Sequence, residues 1–240
     1  MLESNQDQQP VRGSEPADLM AAHSQMLDDM RSLSNEHTLF GELLDRNGRP
    51  PLWRREPSFA TLVRFILEQQ VSLASANAAF KRFDQRTGGV TPEATLASSD
   101  AELKADGFSR QKASYVRGIA ELILSGELDP AALVGDADAV KERLVSIRGI
   151  GSWTASCYLL FVNGDRDTWP TGDRALYVSI ASNLHLVNVP SSKEGDLIAQ
   201  NWAPWRSTAA KMLWHDYLGG ASHVPTTDAG FVGGSGKVRS

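Results

Sequence analysis

From about residue 18 to residue 218 the apolar side chains recur every three to four positions rather than every two, the spacing that gathers them on one face of a helix. Turn-forming residues at Asn47-Gly48, Pro50-Pro51, Gly88-Gly89, Gly126, Gly135, Gly164, Pro170 and Pro190 cut this stretch into helix-sized pieces. The pattern predicts helices near 18–32, 36–45, 58–70, 73–86, 93–98, 100–105, 109–125, 130–133, 137–147, 152–163, 173–184, 194–201 and 206–218, and therefore an all-α fold. The polar stretch 1–17 reads as a disordered leader and the Gly/Ser/Thr-rich stretch 223–240 as a flexible tail, which leaves 18–222 as the folded unit.

One segment departs from plain helix. In Val140 to Val162 the stripe Val140, Leu144 and Ile147 is followed by Gly149 and Gly151 on either side of Ile150, and a second apolar helix begins at Ser152 or Trp153. Such a Gly-x-Gly hairpin lets the backbone take positive φ and brings a phosphate close to the N–H groups at the start of the second helix. A glycine cap joining two packed helices has the same pattern, and both readings stand on spacing alone. Further on, Asp173 ends a loop containing Pro170 and Gly172 and precedes the helical stripe Ala175, Leu176 and Ile180. Aspartate there is a good N-cap, a role compatible with catalysis.

Composition narrows the classes. With 240 residues, 41% of them hydrophobic, the chain has enough apolar material for one large domain or two closely packed lobes. No window reaches ~18 uninterrupted apolar residues, and the N-terminus lacks a charged-then-apolar signal, so a soluble, cytoplasmic protein with no membrane partner is expected. The single cysteine, Cys157, excludes an intramolecular disulfide and any purely cysteine-held metal or iron-sulfur site. A net charge of -5 argues against a nucleic-acid partner until its distribution is considered. Nine acidic residues and only Arg12 and Arg31 lie within the first 45 positions, leaving 20 acidic and 22 basic residues downstream. The body is close to neutral, and local patches decide steering.

The order Ile147-x-Gly149-Ile150-Gly151, Trp153-Thr154-Ala155 and Trp169-Pro170-x-x-Asp173 resembles the helix-hairpin-helix, loop and aspartate signature of base-excision DNA glycosylases, most closely the 3-methyladenine DNA glycosylase II branch. Three further stretches fit: Ile66 to Ser72, Gly107 to Ala113, and Trp202 to Ser207 leading to Trp214. The resemblance covers residues 36 to 218. It implies a two-lobed helical bundle with its active site in the cleft between the lobes, acting on damaged double-stranded DNA at the bacterial nucleoid without an obligate protein partner. The extra N-terminal α/β domain of some relatives is not expected, because too little chain precedes residue 36.

By the same resemblance, Asp173 is the catalytic carboxylate. Lyase-competent relatives carry a nucleophilic lysine where this chain has Trp153, so water becomes the nucleophile and the product is an intact abasic site. The base pocket would be formed by Trp153, Trp214, Gln69, Cys157 and Arg174, with the tryptophans stacking on a cationic alkylated base. Arg174 and Cys157 replace aromatic residues of some relatives, so a less aromatic pocket is expected. Gln70 would fill the gap left by the extruded nucleotide. Gly149 and Gly151, helped by Arg148 and Lys112, would grip phosphate. No organic cofactor is implied; a Na+ or K+ ion on the carbonyls of Ile147 and Ile150 would complete the grip. Rival readings are a glycosylase for oxidised, deaminated or mispaired bases, a non-enzymatic DNA-binding module, and a helical scaffold.

Overall fold

The computed structural model describes residues 16–220, and these are built of helices and loops with no strand among them. The leader and tail read from composition lie outside these residues, apart from Pro16 and Ala17, which already belong to the first helix. In order the helices are α1 Pro16–Glu36, α2 Thr38–Asn47, α3 Phe59–Glu68, α4 Leu73–Thr87, α5 Pro92–Ala97, α6 Asp100–Asp106, α7 Arg110–Leu124, α8 Ala137–Val145, α9 Ser152–Tyr158, α10 Arg174–Asn183, α11 Ser192–Gln200 and α12 Arg206–Tyr217. A short 3-10 turn, Pro130–Ala132, precedes α8.

Local chemistry sets where these helices start. Ser58, Ser72, Thr91, Ser99, Ser109, Asp136, Asp173 and Ser191 each place a side-chain oxygen on an exposed N–H of the first turn. Each such cap contributes on the order of 1 kcal/mol. Ser99 with Glu102 and Ser191 with Glu194 form complete capping boxes.

The helices pack in two groups. In one, α3 lies against α4 and α7, while α6 packs on α4 and α7, and α5 packs on α7. In the other, α12 packs against α1, α2 and α10, with α11 beside α10. Helix α9 touches α3 and α8. An aromatic column joins the groups: Arg55 lies 4.6 Å over the Phe65 ring, Phe65 stacks on Phe161 at 6.4 Å, and Phe161 stacks on Trp214 at 5.4 Å. Burial of these large rings, together with Phe40, Leu62, Ile66 and Tyr158, supplies the main driving force for bringing α3, α9 and α12 together.

One expected helix is not continuous. The apolar run 152–163 is α-helical only to Tyr158, and Leu159–Asn163 form a wider π turn closed by Gly164 at φ 72°. The turn is held from outside. Arg55 N–H donates to the Phe161 carbonyl at 2.8 Å, and the Asn163 side chain exchanges two hydrogen bonds with the Gly135 backbone, at 2.7 and 2.8 Å. Such a turn redirects the chain into the loop that carries Asp173.

Candidate active site

Asp173 caps α10, and its side chain is 1% exposed. Leu176 N–H donates to Oδ1 at 3.0 Å, and the indole N–H of Trp153 donates to Oδ2 at 3.0 Å. The Trp214 indole N–H also faces the carboxylate, in a looser contact than that of Trp153. Burial pushes the Asp173 pKa up to about 6, and the backbone and indole donors hold it from rising further. The result is a dry carboxylate that is charged at neutral pH and close to its titration point.

Its loop is fixed from both sides. Before it, Asp167 forms a two-pronged ion pair with Arg206 at the start of α12, at 2.8 and 2.7 Å. Within it, the Trp169 indole donates to Asp196 at 2.9 Å, the Tyr177 hydroxyl donates to the same carboxylate at 2.8 Å, and Gly172 N–H donates to Tyr177 at 2.7 Å. Asp196 on α11 thereby ties the loop to α10 through two aromatic residues.

The Gly-x-Gly pair is a true hairpin. Gly149 has φ 97°, and a Cβ there would run into the Tyr115 ring on α7. Ile150 N–H donates to the Ile147 carbonyl at 3.0 Å, closing the turn immediately before α9. Gly151 is exposed at the head of α9, which begins without a side-chain cap. Its first-turn N–H groups therefore have no side-chain acceptor at the cap, and Ser152 beside them is exposed. Arg148 is exposed with its guanidinium 6.0 Å from the Tyr115 ring centre.

Gln69 and Gln70 leave α3 rather than extending it. Gln69 donates from its amide to the Gly149 carbonyl at 2.9 Å and to Thr154 Oγ1 at 3.0 Å, joining the end of α3 to the hairpin and α9. Gln70 is exposed and has φ 56°, a left-handed backbone uncommon outside glycine and asparagine. The Lys112 ammonium, expected near a phosphate, donates instead to the carbonyls of Leu67 at 2.7 Å and Gln69 at 2.8 Å.

Two further expectations are corrected. Trp214 is wholly buried, stacked on Phe161, so neither face is presented to a base, and its place is in the core with its N–H toward Asp173. Cys157 is also wholly buried; desolvation, and then the charges of Asp173 and Glu68, push its thiol pKa well up. It is part of the buried core rather than of a surface open to a base. Trp153 is half-buried and touches Asp173, and Arg174 is half-buried beside it in sequence. Glu68 was not anticipated. Buried at the end of α3, it pairs with Arg55 at 2.9 Å; desolvation raises its pKa while Arg55 opposes the shift. A charge on the apolar stripe Phe59 to Leu67 was its only signal.

A hairpin between two helices, followed by a buried aspartate heading the next helix and held by an indole from the helix after the hairpin, defines a helix-hairpin-helix protein with a carboxylate site. The chain belongs to the HhH-GPD superfamily of base excision DNA repair proteins, whose family model matches residues 63–228. It is 29% identical over 167 residues to DNA-3-methyladenine glycosylase 1 of Schizosaccharomyces pombe, covering 67% of this chain and 72% of that protein. It is 32% identical over 173 residues to the DNA-3-methyladenine glycosylase of Bacillus subtilis, covering 65% of this chain and 56% of that one. Among solved structures, the S. pombe 3-methyladenine DNA glycosylase in complex with abasic DNA superposes with a TM-score of 0.72 at 28% identity, covering 78% of this chain and 95% of the other.

Proposed function

We propose that this protein is a monofunctional DNA glycosylase that extrudes alkylated purines from duplex DNA and removes them by hydrolysis, leaving an abasic site. The observation that carries the reading is the buried Asp173 carboxylate held by the Trp153 indole, at the position where a lyase would need an amine. A tryptophan forms no Schiff base, so water attacks. The bond from the sugar C1′ to the base nitrogen breaks, its electron pair neutralises the cationic alkylated ring, and the water oxygen bonds to C1′. Asp173 stabilises the positive sugar between these events and takes the proton the water loses, a task suited to a carboxylate whose pKa is near 6.

In this reading Trp153, half-buried beside Asp173, stacks on the extruded base, and Gln70, exposed on a left-handed backbone, enters the duplex. The first-turn N–H groups after Gly149 and Gly151 suit a phosphate. A Na+ or K+ ion on the carbonyls of Ile147 and Ile150 would add positive charge there. Neutral carbonyl oxygens suit a hard cation, and the Ile147 oxygen keeps one lone pair beyond its bond to Ile150. In this reading the protein works on DNA in the cytoplasm, at the nucleoid of a bacterium, and without an obligate protein partner.

The test is incubation with methylated duplex DNA. Release of 3-methyladenine or 7-methylguanine is expected, with strand breaks only after alkali and no covalent adduct when borohydride is added during turnover. Absence of released base refutes excision; a trapped adduct refutes the hydrolytic route.

A further inference from the structure

We propose that Lys112 is a positioning residue for base extrusion: it clamps the carboxyl end of α3 so that Gln70 is held outward and moves with the hairpin. The proposal rests on the glycosylase reading and assigns this lysine a role other than phosphate contact.

Three observations carry it. First, two of the three ammonium hydrogens of Lys112 are already directed at the Leu67 and Gln69 carbonyls, at 2.7 and 2.8 Å. A lysine kept for phosphate would keep its donors free. Second, Lys112 lies in the first turn of α7, where a cation opposes its own helix dipole. The same charge is favourable at the carbonyl end of α3, and the buried Glu68 carboxylate attracts it there. Its location benefits α3 at the expense of α7. Third, the residue immediately after the clamped Gln69 carbonyl is Gln70 at φ 56°. A non-glycine residue persists in that conformation only where its surroundings hold it.

The clamp is tied to the remainder of the site. Gln69, whose carbonyl Lys112 grips, sends its amide to Gly149 in the hairpin and to Thr154, the neighbour of Trp153. The wedge, the phosphate grip and the donor to Asp173 therefore share one hydrogen-bonded frame. Without the ammonium, Gln70 can relax to negative φ, and the ordering it needs to enter the base stack must be supplied during the reaction. The loss falls on extrusion, and chemistry on a base with no partner to leave is spared.

The experiment compares wild type, Lys112→Met and Lys112→Arg in single-turnover excision of 7-methylguanine placed opposite cytosine or opposite an abasic site. The Met variant is expected to lose about tenfold or more on the paired base, since extrusion there costs a few kcal/mol, and to stay within about threefold on the unpaired one. The Arg variant, which keeps the donors, should recover most of the rate. The ratio of the two substrates within one variant does not depend on the fraction folded. The salt dependence of binding to abasic-site DNA should keep its wild-type slope. A slope reduced by about one would make Lys112 a phosphate ligand and overturn the proposal. Equal losses on both substrates, or none, would overturn it as well. A wild type inactive on both refutes the glycosylase reading itself, and the positioning role falls with it.

Discussion

Asp173→Asn separates the charge of the site from its shape. The carboxylate is almost fully buried, and its pKa stands at about 6 against 3.8 for the free group. A rise of roughly two units means that the fold is destabilised by about 3 kcal/mol at neutral pH by keeping this group ionised. Asparagine removes that cost, but it presents one oxygen where Leu176 and Trp153 now each find one. One buried N–H is left facing an amide NH2, which costs about 1 to 3 kcal/mol. The two effects offset, so the melting temperature at pH 7 should hold or rise slightly. Activity should not hold. A carboxylate about 4 Å from a developing cationic sugar contributes about 4 kcal/mol at an effective dielectric near 20, or roughly a thousandfold in rate. The assay is single-turnover excision from methylated duplex with melting and DNA affinity measured on the same samples. In wild type the rate should fall tenfold per unit as pH drops below about 6. Stability from this group moves the other way. Its folded pKa is raised, so the native state holds the proton more tightly, and the destabilisation present above pH 6 is relieved as pH falls toward 3.8. Both dependences should vanish in the variant. A wild-type excision rate would show that the charge of Asp173 is not what stabilises the sugar, and a large drop in melting temperature would show that losing the second acceptor for Leu176 and Trp153 outweighs the relief of the buried charge.

Two other substitutions probe the frame. Gly149→Ala places a Cβ against the Tyr115 ring at φ 97°, so a stability loss of about 1 to 3 kcal/mol and weaker binding to abasic-site DNA are expected; calorimetry and fluorescence anisotropy that match wild type would refute the strained-turn description. Lys211 is buried on α12, and desolvation, then repulsion from Arg54, lower its pKa to about 8 against the attraction of Asp29. Because a lowered lysine pKa means the protonated form disfavours folding, by about 3 kcal/mol at neutral pH, stability should rise between pH 8 and 10.5. Lys211→Met should raise the melting temperature at pH 7 and abolish that rise; a lower melting temperature would show that the ammonium is needed to balance Asp29.

The helices were legible because periodicity reports which face of a segment is turned inward. The cap at Asp173 was legible because an N-cap is a property of a few neighbouring residues, and the starts expected near 58, 73 and 100 fall at or next to the caps Ser58, Ser72 and Ser99. What a residue touches is set by chain segments far away, and there pattern was silent. Trp214 was expected against a base, yet Phe161 covers it, and nothing within α12 distinguishes the two outcomes. Lys112 looked like any basic residue at a helix start until α3 supplied its carbonyls from 45 and 43 positions away. The π turn was hidden because Leu159 to Val162 continue the apolar run, and the extra residue per turn shows only where Arg55 binds the Phe161 carbonyl and Gly135 binds the Asn163 side chain.

The bonds that place Asp173 span the chain unevenly. The hairpin closes between Ile147 and Ile150, within one turn of chain, whereas the carboxylate loop is held by Trp153 across 20 residues, Asp196 across 27 from Trp169, and Arg206 across 39 from Asp167. Contacts of short span form quickly and survive partial loosening, while those of long span carry the larger closure entropy. The hairpin turn closes locally, but its tie to Gln69 spans 80 residues, so the hairpin and the loop that carries Asp173 both reach their final places only when distant helices have packed.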